Sequence, residues 1–298
     1  MKKLFAFSIA LLIAVSAIGQ SIKVTPTLRK GMVKTYTSSA ALAAMDQKIN
    51  ITSEMKFTVV KETPEGYEMT METTAYSSDA KDDNLLSRLV TLGEEIMKGV
   101  KVQIRLNKAG KPLGIINYQE VKEKSITTAS RIVDELFQAA PELSKVMKKE
   151  AFLEQVTNDL TPDKFIQSLT ASTSPLALFG RTITSGMEDK YNNNMVDLKR
   201  VWLVTGKVIG ASSKTDMSRE ETKNFIISAV EKSSPEQVNM IKENIDQVLD
   251  SGLFKLDMSE KTKYELSDDL WLKSIENDME SDIMGQKTSS HTKIQLKN

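Results

Sequence analysis

Between Ile49 and Ala75 apolar and polar side chains alternate with a period of two, and this run constrains the fold more than any other. Ile49, Ile51, Met55, Phe57 and Val59 fall on one side of an extended strand, and Asn50, Thr52, Glu54, Lys56 and Thr58 on the other. Lys61-Glu62-Thr63-Pro64-Glu65-Gly66 supplies the turn chemistry. The alternation then resumes, with Tyr67, Met69, Met71 and Ala75 against Glu68, Thr70, Glu72 and Thr74. Such a hairpin belongs to an antiparallel sheet with one dry face and one wetted face.

Met1 to Gln20 reads as an export signal: Lys2 and Lys3, an apolar core from Phe5 to Val15, and Ala17-Ile18-Gly19 as a small-x-small cleavage site. A lysine-led leader this short has a bacterial character, and the apolar core falls short of a membrane span. The expected location is the periplasm or the medium. With no cysteine in the sequence, lipid attachment after the signal is not expected, and thiolate metal sites and thiol nucleophiles are excluded. The 40 basic residues balance the 40 acidic ones. That gives no electrostatic case for a nucleic-acid or anionic-membrane partner, and no later apolar run reaches transmembrane length.

A second hairpin is expected from Val102, Ile104 and Leu106 through the turn Asn107 to Pro112 into Leu113 to Asn117. Helical spacing governs Leu85 to Met97, Val121 to Phe137, and Leu143 to Leu153. Thr161 and Pro162 head a short helix through Leu169. Ser172 to Gly180 is a loop with an apolar tip, Leu176-Ala177-Leu178-Phe179, either tucked against the core or free to act as a lid. Asn192-Asn193-Asn194 is a polar break before strands over Val196 to Thr205 and Val208 to Thr215. Ser218 with Glu221 forms a capping box. Ser234, Pro235 and Gln237 start a further helix lined by Val238, Ile241, Ile245, Val248 and Leu249. A three-stranded meander over Thr262–Leu266, Leu270–Ile283 and Thr288–Leu296 completes the chain. The expectation is α+β: residues 21–298 as one domain, a curved antiparallel sheet with helices packed on one face, and a helical insertion around 118–171.

Candidates for chemistry are few. The lone histidine, His291, lies on the wetted face of the last strand, so neither a histidine triad nor a histidine metal site is expected. Glu276, Asp278, Glu280 and Asp282 share one strand face, as a hard-cation site or as a solvated face paired with Lys287, Lys293 and Lys297. Trp202 and Trp271 read as core anchors. Met55, Phe57, Met69 and Met71 occupy the dry face of the opening hairpin, where methionine makes an adaptable apolar surface.

The turns Thr63-Pro64-Glu65-Gly66-Tyr67 and Asn107-Lys108-Ala109-Gly110-Lys111, and the meander from Tyr264 to Leu296, give the chain a likeness in layout. It resembles uncharacterised secreted proteins of Gram-negative bacteria and, distantly, the half-barrel lipoprotein-carrier superfamily. The latter resemblance implies a curved sheet that holds acyl chains under helices. The expected function is a non-enzymatic binding protein without a cofactor, using Met55, Phe57, Met69 and Met71 to hold a lipid-like ligand or an apolar partner segment. A structural envelope component with a fully packed core is the alternative, and a carboxylate- or cation-dependent enzyme the third.

Overall fold

The computed structural model describes residues 19–44, 47–80, 100–139, 141, 148–158, 160–192, 196–233, 238–251, 256–283 and 286–297. Residues 1–18 of the leader and the helical pattern over Leu85 to Met97 lie outside them, as do Leu143 to Met147 and the starting residues of the helix at Ser234.

The opening hairpin is β3 (Gln47–Thr63) and β4 (Gly66–Ser78). Its turn closes with the Gly66 amide donating to Thr63 Oγ1 at 3.1 Å. A Cβ on Gly66 would sit 2.1 Å from the Leu106 carbonyl oxygen, and φ is +154°. Gly66→Ala is therefore expected to cost about 2 kcal/mol or more, read as a lowered urea midpoint at unchanged slope. β5 (Lys101–Asn107) and β6 (Pro112–Ile115) form the second hairpin. There Asn107 Oδ1 accepts from the Ala109 and Lys111 amides, each at 2.9 Å.

β2 (Val33–Ala44) runs straight through the alanine-rich stretch, flanked by β3 and by β13 (Gln286–Leu296). That one strand joins the N-terminal hairpins to the C-terminal meander of β11 (Leu256–Leu266), β12 (Leu272–Ile283) and β13. β10 (Val208–Thr215), β9 (Asp197–Thr205) and β8 (Glu188–Asn192) continue the sheet. The result is an open, curved sheet of eleven antiparallel strands, ordered β6-β5-β4-β3-β2-β13-β12-β11-β10-β9-β8. Twist accumulates across so many strands, and the register shifts at Glu54/Met55 and Val59/Lys61 add to it locally, so a flat sheet is not available. β1 (Ser21–Lys23) and β7 (Thr182–Thr184) make a separate short ribbon.

Between β6 and β7 come α1 (Tyr118–Ala139), α2 (Lys149–Asn158) and α3 (Pro162–Leu169). α4 (Arg219–Ser233) and α5 (Val238–Asp250) separate β10 from β11. Thr161 caps α3 through the Lys164 amide, and Ser218 and Glu221 exchange the two hydrogen bonds of a capping box at α4.

Helices and loops pack on one face of the sheet, its inner face. Val121 and Leu169 join the main apolar cluster with Tyr36, Phe57, Met69, Ile104, Ile275 and Ile294 from the strands. Phe225 packs on a smaller cluster of Val196, Leu198 and Met258. The apolar loop tip is tucked in, with Leu176 and Leu178 fully buried and Phe179 edge-on to Trp271 at 5.0 Å. Trp202 and Trp271 are core anchors, each 1% exposed.

The outer face is wet and ion-paired. Glu276 pairs with Lys293 at 3.8 Å, and Asp278 with the exposed His291 at 2.7 Å. Asp282 stands opposite Lys287 in register. Lys297 reaches Glu54 rather than the acidic strand. Among the described residues no cluster of three or more His, Cys, Asp or Glu side chains is arranged to hold a metal ion.

Candidate ligand-binding face of the sheet

Because register fixes which residues stand side by side, the inner face can be followed row by row. One row runs Val204, Ile209, Tyr264, Ile275, Ile294 across β9, β10, β11, β12 and β13. All five are buried, and they belong to the main cluster. The next row toward the other end of the strands reads Trp202, Ala211, Thr262, Asn277, Thr292, Ala40, Ile51. The one after it reads Asp189, Arg200, Ser213, Glu260, Met279, Ser290, Leu42, Ile49. A polar belt thus runs from β8 to β13 and divides the two apolar clusters, while on β2 and β3 the same rows are apolar.

On the β8 to β11 side the belt is closed. Arg200, with 9% of its side chain exposed, donates to both oxygens of Asp189 at 2.8 and 2.9 Å. Its guanidinium lies 4.3 Å from the ring centres of both Tyr191 and Trp202. Arg181 and the Trp202 indole N–H also donate to Asp189, at 2.7 and 3.1 Å. Burial pushes the Asp189 carboxyl up, but the two guanidiniums hold it below the ordinary aspartate range. Buried Glu260 accepts from Asn277 Nδ2 at 2.6 Å, from Thr262, and from the hydroxyls of Ser172 and Tyr191. Asn277 also donates to Thr262 Oγ1 at 2.8 Å. Every charge here has partners, as buried charge requires. This is a structural clamp that ties β8, β9, β11, β12 and the Ser172 loop together. No sequence motif announces it, although Arg200, Glu260 and Asn277 at core-facing positions of strand patterns are the signal to look for.

On the β12 to β3 side much of the same face is half-buried, between the sealed Ile49 at 3% exposed and the main cluster. Ala40, Leu42, Ile51, Met55 and Met279 keep part of their surface exposed, among the hydroxyls of Ser38, Ser53, Tyr76, Ser290 and Thr292. Four strands at ordinary spacing make this patch about 14 Å wide. The four residues singled out from sequence lie at its border. Phe57 and Met69, 1% and 0% exposed, are inside the main cluster. Met55 and Met71 are half-buried and packed against it. Tyr36 separates closed from half-buried surface, its hydroxyl donating to the Leu272 carbonyl at 2.8 Å and its ring edge-on to Phe57 at 5.8 Å. Burial raises the Tyr36 pKa, so it stays neutral.

No protein-family model matches the chain, and no curated protein matches it. Two solved structures are similar in part. A structure of lipovitellin, described as showing lipid–protein interactions, has a TM-score of 0.41 at 10% identity over 91% of this chain. The match spans 26% of the lipovitellin chain, so this chain covers about a quarter of that protein's length. DynF from the dynemicin pathway of Micromonospora chersina has a TM-score of 0.19 at 9% identity, covering 93% of this chain and 84% of its own. Both scores fall short of a shared fold.

Proposed function

We propose that this chain is an exported, non-enzymatic binding protein that holds an apolar or amphiphilic ligand against the half-buried part of its inner sheet face. The observation that carries this reading is the contrast along single strands. On β3, Phe57 and Val59 are sealed, while Ile51 and Met55, between them and the again sealed Ile49, are not; on β12, Ile275 and Asn277 are sealed while Met279 is not. Apolar side chains left half-exposed on β2, β3 and β12, with Ser290 and Thr292 of β13 among them, are a binding surface in waiting, and the neighbouring hydroxyls would meet a polar group. Met55 and Met71 would touch the ligand, with Phe57 and Met69 as the packed wall behind them. The only histidine is engaged with Asp278 on the opposite face, which favours binding over acid–base chemistry.

The test is native mass spectrometry of protein purified from its own cells, paired with titration of an apolar fluorescent dye. We expect extractable lipid-like mass and a saturable dye site that Leu42→Glu with Ile51→Glu weakens roughly tenfold, about 1.4 kcal/mol. An empty chain without a saturable site would sink the proposal. One observation favours a second reading, a packed interaction component: the main cluster is already filled by Val24, Leu28 and the Leu176–Phe179 tip. It predicts a stable protein partner and no small ligand.

A further inference from the structure

Register sets a line of hydroxyls across the half-buried part of the inner face. Ser290 and Thr292 stand on β13, opposite Leu42 and Ala40, and Ser38 and Ser53 face each other across β2 and β3. All four are half-buried. Two strand spacings and a rise of four residues separate Ser290 from Ser53, so the line is about 17 Å long and runs diagonally past the aliphatic groups. Hydroxyls elsewhere on the sheet have partners. Thr52 and Ser77 on the outer face bond to each other at 2.8 Å, and Ser281 bonds to Thr288 at 2.6 Å. Among the described residues the side chains of Ser38, Ser53, Ser290 and Thr292 make no hydrogen bond. Each therefore offers one donor and two acceptor positions to water or to a ligand.

The same patch is uncharged. Every inward position is neutral from Tyr36 to Leu42 on β2, Ile49 to Met55 on β3, Asn277 to Met279 on β12 and Ser290 to Ile294 on β13. Charged groups at the rim of the inner face are already paired. Lys34, in line with Tyr36 on β2, meets Asp269 at 2.7 Å beside the Trp271 ring, and Arg181 and Arg200 share Asp189. Lys293 and Lys297 alternate to the outer face, where they pair with Glu276 and Glu54.

Resting on the binding reading of this face, we propose that its ligand is an uncharged acyl ester or alcohol of the monoacylglycerol type, rather than a fatty acid or a phospholipid. The acyl chain lies along Ala40, Leu42 and Ile51, and the ester and hydroxyl oxygens meet the line of Ser and Thr hydroxyls. A carboxylate or phosphate drawn onto the same face loses water and meets no unpaired cation among the described residues, a cost that hydroxyls alone offset poorly. An ion that stayed in water would leave the four hydroxyls to water as well, so nothing on the face would select it.

Displacement of an apolar fluorescent dye from the full chain tests this with probes that share a ten-carbon chain: 1-monodecanoylglycerol, decanoate and decyltrimethylammonium. They are compared below micelle formation and at about pH 8, where the carboxylate is ionised. The neutral ester is expected to bind at least roughly tenfold more tightly than either ion. Ser38→Ala with Ser53→Ala should weaken the ester roughly fivefold and leave dye affinity and the urea midpoint unchanged, because it removes hydroxyls and no apolar surface. Ser53→Lys should raise decanoate affinity by a similar factor, since it gives the carboxylate a cation. A saturable dye site at which decanoate matches the ester overturns this proposal and leaves the binding face standing. So does an ester affinity that ignores the loss of Ser38 and Ser53. A chain without a saturable dye site overturns the binding face, and this proposal with it.

Discussion

Arg200→Ala is expected to lose about 3 kcal/mol of stability, read in chemical denaturation. The guanidinium is nearly sheltered from water, forks onto Asp189 and lies between the Tyr191 and Trp202 rings. Its removal leaves a partly buried carboxylate with Arg181 as its remaining cationic partner, and two rings with a void between them. The figure belongs at the low end for a broken buried pair, because Asp189 keeps 27% of its side chain exposed. Arg200→Met with Asp189→Leu should recover much of the loss, since it removes the orphaned charge and refills the space. The acid limb carries the same signature. The folded Asp189 carboxyl titrates below its unfolded counterpart near pH ~3.9, so its contribution is complete above that pH. It is lost as pH falls through the depressed folded value. In Arg200→Ala the depression shrinks, and acid unfolding should lose part of its steepness below pH ~4.

Strand positions were legible in the sequence wherever one face is dry and the other wet. The alternation at Ile49–Val59 and at Val102–Leu106 placed strands, turns and inner faces correctly, because register cannot slip without turning apolar groups outward. Two strands left weaker signals. β8 carries Glu188, Asp189 and Lys190, whose ion pairs replace apolar alternation. β2 passes through Ala40 to Ala44, where small side chains serve a strand or a helix equally well. Pairing of β2 with β13 could not be read either, since it joins residues some 250 apart and depends on the whole sheet closing ranks. The candidate site was half legible. Its face was readable from period two, but not the point along β3 where the protein's own loop stops filling it. That point is set by Leu176–Phe179, far away in sequence, seated over the near end of the face.

The loop tip supplies the other large effect. Phe179→Ala is expected to cost about 3–4 kcal/mol, because a ring 2% exposed and edge-on to Trp271 leaves a cavity that rigid neighbours cannot close. The loop has little room to adjust. The Gly180 amide donates to the Val24 carbonyl at 2.8 Å, and a Cβ on Gly180 would meet the Lys111 side chain at 2.5 Å. Trp271 fluorescence should shift to the red as its face gains water, and the urea midpoint should fall at unchanged slope. Dye affinity should stay within twofold or so, because Tyr36 and Phe57 stand between this void and the half-buried patch. Ile51→Glu should behave in the opposite sense. A half-buried side chain on a partly wet face costs roughly 1 kcal/mol when made polar, yet it places a carboxylate where the ligand would lie. Stability moves with one substitution and binding with the other if the inner face is divided into a sealed end and a working end. Were Phe179→Ala to abolish dye binding as well, the two ends would be one cavity and the ligand would reach Phe57 and Met69.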